Sequence, residues 1–388
     1  MRRWTVATTL LLIFLGFYQY ARMYSYRDPG SLFFDASRAY ETKYSDHRLE
    51  EIRNIELTNE GTSKDASVCA VISTYKRPVE TTVQSALAGL YLAERRDLHL
   101  ALLFAHADPT VHPSWGIDVE SISYKSSALK DFDKLAEYEA KGDTSHKGVE
   151  DYALALEYCL NTTLPWAAIF EDDILFADSW FARLKHAISQ EDTDLASLLY
   201  FRMFNDERAT GWSGRGLFAN HELYIGIGID VFVLLILLRM DRSWSTILPA
   251  LVFVPFVVLL FFASGKATML PPRPGVRKEE FGCCSQALVY PRHQLRPLME
   301  YLRKVESGQV DLHINDYGRM NGFHRKSIYP VMVQHRGATI GSVRGTTVQD
   351  ARQIWSMAFE ELEPAQLQHE HHKMAKQIWP DTEITDLG

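Results

Sequence analysis

The sequence predicts an α/β fold: a parallel sheet covered on both faces and interrupted in mid-chain by an apolar helical hairpin. Three observations carry this. Strand-like and helix-like segments alternate before residue 222, and the alternation resumes in kind beyond residue 280. Between them runs "LYIGIGIDVFVLLILLRMDRSWSTILPALVFVPFVVLLFFAS", residues 223–264, in a chain that otherwise reads as water-soluble. Parallel strands need helical crossovers, which cover both faces of their sheet, and alternation is the mark of that arrangement.

The 388 residues suffice for a large buried core. Lys and Arg number 41 against 49 Asp and Glu, a net charge of -8, so no nucleic-acid partner is expected, since that would need a basic face. Residues 1–21 read as a cytosolic tail and anchor: "WTVATTLLLIFLGFYQYA", Trp4 to Ala21, follows Arg2 and Arg3. At ~1.5 Å per residue it fits a ~30 Å hydrocarbon core, and no small-residue cleavage site follows; a cleaved signal peptide is the alternative. Residues 22–66, polar and Tyr-rich with a helical pattern in "DHRLEEIRNIEL", read as a stem and leading helix.

Residues 67–222 hold the first half of the α/β domain. "VCAVISTYKRP" reads as a buried strand ending in a polar loop, "VETTVQSALAGLYLAERR" as a helix and "LHLALLFAHAD" as a second strand. "KGVEDYALALEYCLNT" is an amphipathic helix, "WAAIFEDDILF" a third strand, "SWFARLKHAISQ" a helix and "LASLLYFRMF" a strand. After the hairpin come a Pro-rich linker "LPPRPGVRK" and the second half, 265–345, with "CCSQALVYP", the helix "RHQLRPLMEYLRKVES", "VDLHINDYGRMN" and "SIYPVMVQHRGAT". Residues 346–388 read as a helical tail whose "HEHHK", His369 to Lys373, is solvated surface and not a metal cluster. One domain split by the insertion is expected.

In the hairpin, residues 244–264 are apolar, and Pro249 and Pro255 are tolerable in a membrane helix. Residues 223–238 carry Asp230, at a cost of ~2.5–3.5 kcal/mol, against which about a dozen Leu, Ile, Val and Phe return about 5 kcal/mol. Arg2 and Arg3, with Arg239 and Arg242 in the connector, put the N-terminus and the hairpin turn in the cytosol by the positive-inside rule. Both soluble halves then share one lumen. Cys69, Cys159, Cys283 and Cys284 could pair there or remain buried thiols, and "NTT" at Asn161 is a glycosylation acceptor triplet.

The strongest chemical signal is "IFEDDILF": Glu171, Asp172 and Asp173 at the end of an apolar strand, where open α/β sheets bind ligands. Adjacent carboxylates repel one another unless a cation neutralises them, and oxygen ligands suit Mg²⁺ or Mn²⁺ bridging to a diphosphate. A solvated acidic loop is the competing reading.

The triplet resembles the DxD motif of GT-A glycosyltransferases, of which EDD is a variant. With the N-terminal span and a hairpin inserted in a split domain, the chain resembles the post-GPI-attachment family of Golgi transferases that add N-acetylgalactosamine to the GPI-anchor glycan. By layout the likeness covers residues 4–345, and the hairpin's placement separates this family from other GT-A enzymes. It implies a GT-A type, Rossmann-like domain, UDP-GalNAc as donor, Mn²⁺ (or Mg²⁺) as cofactor and a GPI-anchored protein's glycan as acceptor. It further implies the lipid bilayer as a partner and a multi-pass Golgi location with the catalytic domain lumenal.

Carried onto this sequence, the resemblance implies that Val71, Ser73, Thr74, Tyr75 and Arg77 line the uracil and ribose, Tyr75 stacking and Arg77 meeting a phosphate. Glu171 or Asp172 would contact the ribose and Asp173 the metal, whose shell His335 would complete. Ser285 and Gln286 would face hydroxyl or acetamido groups of the donor sugar. Transfer from an α-linked donor to a β-linked product needs a carboxylate to take the acceptor proton. Asp311, where a helix N-cap is expected, is the first choice and Asp316 the reserve, with pure capping the structural alternative for Asp311.

Two other functions compete: a Golgi transferase using another UDP-sugar on N-glycans or glycolipids, and a non-catalytic three-span factor in which EDD is only a charged loop. The hairpin favours an acceptor tethered to lipid, because confining both partners to one surface raises their effective concentration.

Overall fold

A run with no polar face, such as "VCAVIST", is satisfied as a strand covered on both sides. In the computed structural model it is β1 (Val68–Thr74), buried but for Ser73. The structure describes residues 2–53, 55, 66–125, 132–191, 195–206, 221–240, 243–279, 284–336 and 354–380. The remaining strands are β2 (Leu98–Phe104), β3 (Glu120–Ser123), β4 (Trp166–Glu171), β5 (Ile174–Phe176), β6 (Leu198–Arg202), β7 (Gly275–Lys278), β8 (Ala287–Pro291), β9 (His324–Tyr329) and β10 (Val333–His335).

An eight-stranded sheet has the order β3-β2-β1-β4-β8-β6-β9-β7. Parallel pairing joins β3 to β2, β2 to β1, β1 to β4 and β6 to β9. β8 is antiparallel to both β4 and β6, and β7 to β9, so the sheet is mixed. The physical reason is connectivity: β7 and β8 follow the insertion, so no helical crossover from β6 obliges them to run parallel. The Pro-rich segment read as linker thus ends in an edge strand, β7. "WAAIFEDDILF" is likewise two strands: β4 stays in the large sheet, while β5 pairs antiparallel with β10, His335 opposite Ile174.

Alternation along β1 sends Val68, Ala70 and Ile72 into one core with Phe170, Phe176, Trp180 and Phe201, and Cys69 and Val71 into the other with Ala101, Ile169 and Leu288. Helices Thr144–Asn161, Arg292–Val305 and Val310–Asn321 cover the second core. Helices Lys43–Ile52, Glu80–Leu87, Trp180–Ser189 and Pro364–Ile378 cover the first. A disulfide joins Cys69 to Cys159, tying β1 to the Thr144–Asn161 helix. Cys284 is also disulfide-bonded; Cys283 and the connector residue Arg242 lie outside the described residues.

Three further expectations are corrected. The helix read over 79–96 breaks at Gly89, whose φ of 74° is left-handed, into Glu80–Leu87 and Leu92–Asp97. The leading helix is core, not stem: Arg48 is fully buried and donates to the carbonyls of Phe176, Ser85 and Ala88. "HEHHK" is only partly surface, because Leu367, His371 and Ala375 share one helix face; His371 is buried, 2.7 Å from Glu94 and stacked on Tyr91.

The chain forms two compact units: the one just described, Thr42–Asn205 with Pro274–Gly388, and a second, Met1–Glu41 with Asp206–Arg273. In the second, helix Trp244–Ala263 packs against Arg2–Tyr24 through Phe14 and Phe256, and against Glu222–Met240 where Gly226 faces Val258. Among the described residues Glu222–Met240 is long and apolar enough to cross a membrane, and Ile247–Ala263 is a shorter apolar stretch. Buried Asp28 accepts from the N–H groups of Gly30 (2.9 Å) and Thr268 (3.1 Å), stitching the chain after the first helix to the chain after the last. Gly265, at φ 88°, lies so close that a Cβ would sit 2.2 Å from Asp28 Oδ2.

Two measurements test these joints. Arg48→Met leaves three buried carbonyls without their donor and should lower stability by about 3–5 kcal/mol, read as a fall in thermal midpoint in detergent. Gly265→Ala should cost about 1–3 kcal/mol by the same measurement, whereas Gly228→Ala, with open space at its Cβ, should cost nothing; equal effects at the two glycines would contradict the close packing.

Candidate functional site

β1 and β4 run parallel in a register that sets Ser73 opposite Glu171, so the loops leaving their C-terminal ends meet. Thr74 Oγ1 donates to Asp172 Oδ2 (2.9 Å) and the Tyr75 amide to the same oxygen (3.3 Å). Arg77 Nη1 lies 3.6 Å from Asp172 Oδ1 and is hydrogen-bonded to Asp173 Oδ2. From the other side the β5–β10 ladder delivers His335, whose Nε2 is 3.2 Å from that same Asp173 oxygen. The triplet is therefore the turn between two sheets, with Asp172 bonded to the β1 loop and Asp173 met by both Arg77 and His335.

Burial and the neighbouring Asp173 charge push the Asp172 carboxyl up to about 6 in spite of Arg77 and Thr74. Burial also pushes on Asp173, but His335 and Arg77 outweigh it and hold that carboxyl below the ordinary range. Burial would lower His335; the Asp173 carboxylate reverses this and raises it. The charges have thus separated, with Asp173 as the firm anion.

Glu171, Asp173 and His335 each offer a ligand atom within 4.8 Å of the others, and Asp173 Oδ1 is buried with no hydrogen-bond partner. Two carboxylates and an imidazole around an orphaned anionic oxygen fit Mn²⁺ or Mg²⁺.

On the far side Ser285 Oγ donates to Glu171 Oε1 (2.8 Å), and the Glu171 amide donates to the Gln286 carbonyl (3.1 Å). One residue away, the Cys284 amide donates to Asp311 Oδ2 (3.1 Å). The N-cap of the Val310–Asn321 helix is Gln309, so Asp311 sits within the first turn and not at the cap. Asp316 lies on another face of that helix, its side chain 48% exposed and paired with Arg319 (2.9 Å).

Of the residues singled out in the sequence, Ser73, Thr74, Tyr75, Arg77, Glu171, Asp172, Asp173, Ser285, Gln286 and His335 belong to this one strand-end cluster, with Asp311 joined to it. Asp316 does not, and Val71 is two residues too deep, packed in the core with Ala101 and Ile169. Asp172 is held inside the β1 loop.

The sequence reading missed the ring around Tyr75. His106 packs on it at 4.6 Å between centroids and is hydrogen-bonded to its carbonyl and to Glu139. Lys147 Nζ lies 4.3 Å from the Tyr75 centroid, bonded to Tyr124 (2.6 Å) and Asp151 (2.7 Å). His112 Nε2 lies 2.8 Å from Thr74 Oγ1. One signal was available: Lys147 and Asp151 stand four apart on the apolar face of their helix, an unusual place for charge.

No curated protein matches the chain. The family model described as GPI-N-acetylgalactosamine transferase PGAP4 matches residues 68–334, which takes in β1, the acidic turn, the insertion and all but the last residue of β10. That span is more than half of the 388 residues and contains the β1 loop, the acidic turn, Ser285 and Asp311, while His335 lies one residue beyond it. The chain belongs to the GPI-N-acetylgalactosamine transferase PGAP4 family.

Proposed function

We propose that this protein transfers GalNAc from UDP-GalNAc to a mannose of a GPI-anchor glycan, inverting the anomeric centre, in the Golgi lumen and with Mn²⁺ or Mg²⁺ as cofactor. The observation that carries the reading is the buried Asp173 carboxylate, one oxygen unpartnered, beside Glu171 and His335 at the strand ends. Family membership supports the GPI glycan as acceptor.

Asp173, Glu171 and His335 would hold the cation, which when bound neutralises charge on the leaving diphosphate. Arg77, already turned toward the carboxylates, is placed to meet a phosphate oxygen. The β1 loop from Thr74 to Arg77, braced by Asp172, forms one wall for the nucleotide. Ser285, bonded to Glu171, brings the segment Cys284–Gln286 to the opposite wall. Asp311, tied to the Cys284 amide, is the base of choice: it would take the acceptor hydroxyl proton as that oxygen bonds to C1 and the bond from C1 to the phosphate oxygen breaks, with UDP as the leaving group. Asp316, exposed and paired with Arg319, is set aside.

Three spans would hold the protein in the bilayer: Arg2–Tyr24, then the hairpin of Glu222–Met240 and Trp244–Ala263. The N-terminus and the hairpin turn face the cytosol in this arrangement. Enzyme and lipid-linked acceptor then share one surface, which raises their effective concentration.

The purified full chain, offered a panel of UDP-sugars with a GPI glycan, should transfer from UDP-GalNAc, lose activity in a chelator and recover it with Mn²⁺. Transfer from UDP-Glc or UDP-GlcNAc but not UDP-GalNAc would replace the donor. Asp173→Asn and Asp311→Asn should each lower turnover by about a hundredfold or more, and Asp316→Asn by less than about threefold. Normal GPI modification in cells carrying only folded Asp173→Asn protein would remove the catalytic reading altogether.

A further inference from the structure

The acceptor triplet "NTT" stands where the fold itself has no use for its last residue. Asn161 ends the Thr144–Asn161 helix and Thr162 caps it, Thr162 Oγ1 donating to the Cys159 carbonyl (2.8 Å). Thr163 then takes a φ of 65°, in the left-handed region. Glycine or asparagine is the ordinary occupant of the position just past a helix end, and a β-branched residue is strained there. Thr163 is exposed, and its hydroxyl makes no hydrogen bond among the described residues, so neither packing nor bonding explains a threonine at this point.

Chemistry does explain it. A side-chain amide two residues before a hydroxyl, with a residue other than Pro between them, is the acceptor pattern for an N-linked oligosaccharide. Asn161-Thr162-Thr163 is the one such triplet in the 388 residues. Asn161 is itself exposed, and the turn around it is held without its side chain. Arg292 Nη2 donates to the Leu160 carbonyl (2.8 Å) and the Arg292 amide to the Pro165 carbonyl (2.9 Å). Nearby Cys159 is bonded to Cys69, and disulfides persist in the oxidising compartments in which such oligosaccharides are attached.

The strand order sets where a glycan would stand. Residues 162–165 lead into the start of β4, and Glu171 ends it, so Asn161 lies at the opposite end of the sheet from the acidic turn. The six residues of β4 separate the two ends by about 20 Å. A glycan there leaves the cleft open.

We propose that Asn161 carries an N-linked oligosaccharide and that Thr163 occupies its strained position as the hydroxyl residue of the acceptor. In the modification Asn161 Nδ2 bonds to C1 of an oligosaccharide carried on a lipid diphosphate. The bond from C1 to the phosphate oxygen breaks, the lipid diphosphate leaves and one amide proton is released. The site rests on the lumenal placement of the α/β unit proposed above and is independent of the donor sugar.

The test expresses the full chain in cells and treats it with peptide-N-glycosidase. Wild type should gain gel mobility by the step of a single glycan, with Asn161 converted to aspartate in the released peptide. Asn161→Gln and Thr163→Ala should lose the shift, and Thr163→Ser should keep it. Thr163→Asn should also lose it, yet its thermal midpoint should be no lower than that of Asn161→Gln, because asparagine tolerates the left-handed position. A shift that survives Asn161→Gln, or a wild type that shows none, would overturn the site. Protease treatment of sealed microsomes separates the causes: an unmodified but protected α/β unit overturns Asn161 alone, and an unmodified, digested one overturns the lumenal placement with it.

Discussion

Holding the Asp173 carboxylate at 2% exposure costs several kcal/mol unless cations meet it, and this protein draws them from opposite directions. Arg77 comes from the loop after β1 and His335 from the end of β10, converging on a single carboxylate oxygen. Removing either leaves a buried charge half compensated. The second oxygen stays buried with no hydrogen-bond partner.

That requirement propagates outward through β10. His335 reaches Asp173 only because β10 pairs with β5, and this short ladder is itself clamped. Gln334, adjacent to His335 and fully buried, donates to the Ser356 carbonyl (2.7 Å) and to Glu360 (2.8 Å). Glu360 in turn accepts from the amide and hydroxyl of Ser45, while Arg48 on the same helix holds the Phe176 carbonyl at the end of β5. A leading helix and a C-terminal segment that look peripheral in sequence therefore form the outer shell of the acidic turn. A layered shell of this kind orients the side chains that make a charged site.

How much of this the sequence disclosed follows from the range of the interactions. β1, β2 and the Thr144–Asn161 helix were legible because their periodicity is local. The acidic turn was legible as chemistry but not as geometry: "FEDDI" has neither Gly nor Pro, so nothing marks a change of sheet between Glu171 and Ile174. Arg48 and His371 were invisible for a related reason. Each sits in an ordinary polar stretch and acquires its role from partners or neighbours far away in sequence, such as Glu94 for His371 at a separation of 277 residues. Asp316 was over-read, since spacing along "VDLHINDY" cannot say which face of the helix meets the sheet.

The insertion sits where the sheet can bear it. β6 pairs with β8 and β9, and β7 with β9 alone, so the chain departs after a central strand and re-enters on the far edge. No ladder has to be threaded through the inserted helices, and the strands on either side close into one sheet across a gap of about 70 residues. The departure point is Asn205 itself, at the end of β6 that faces the acidic turn.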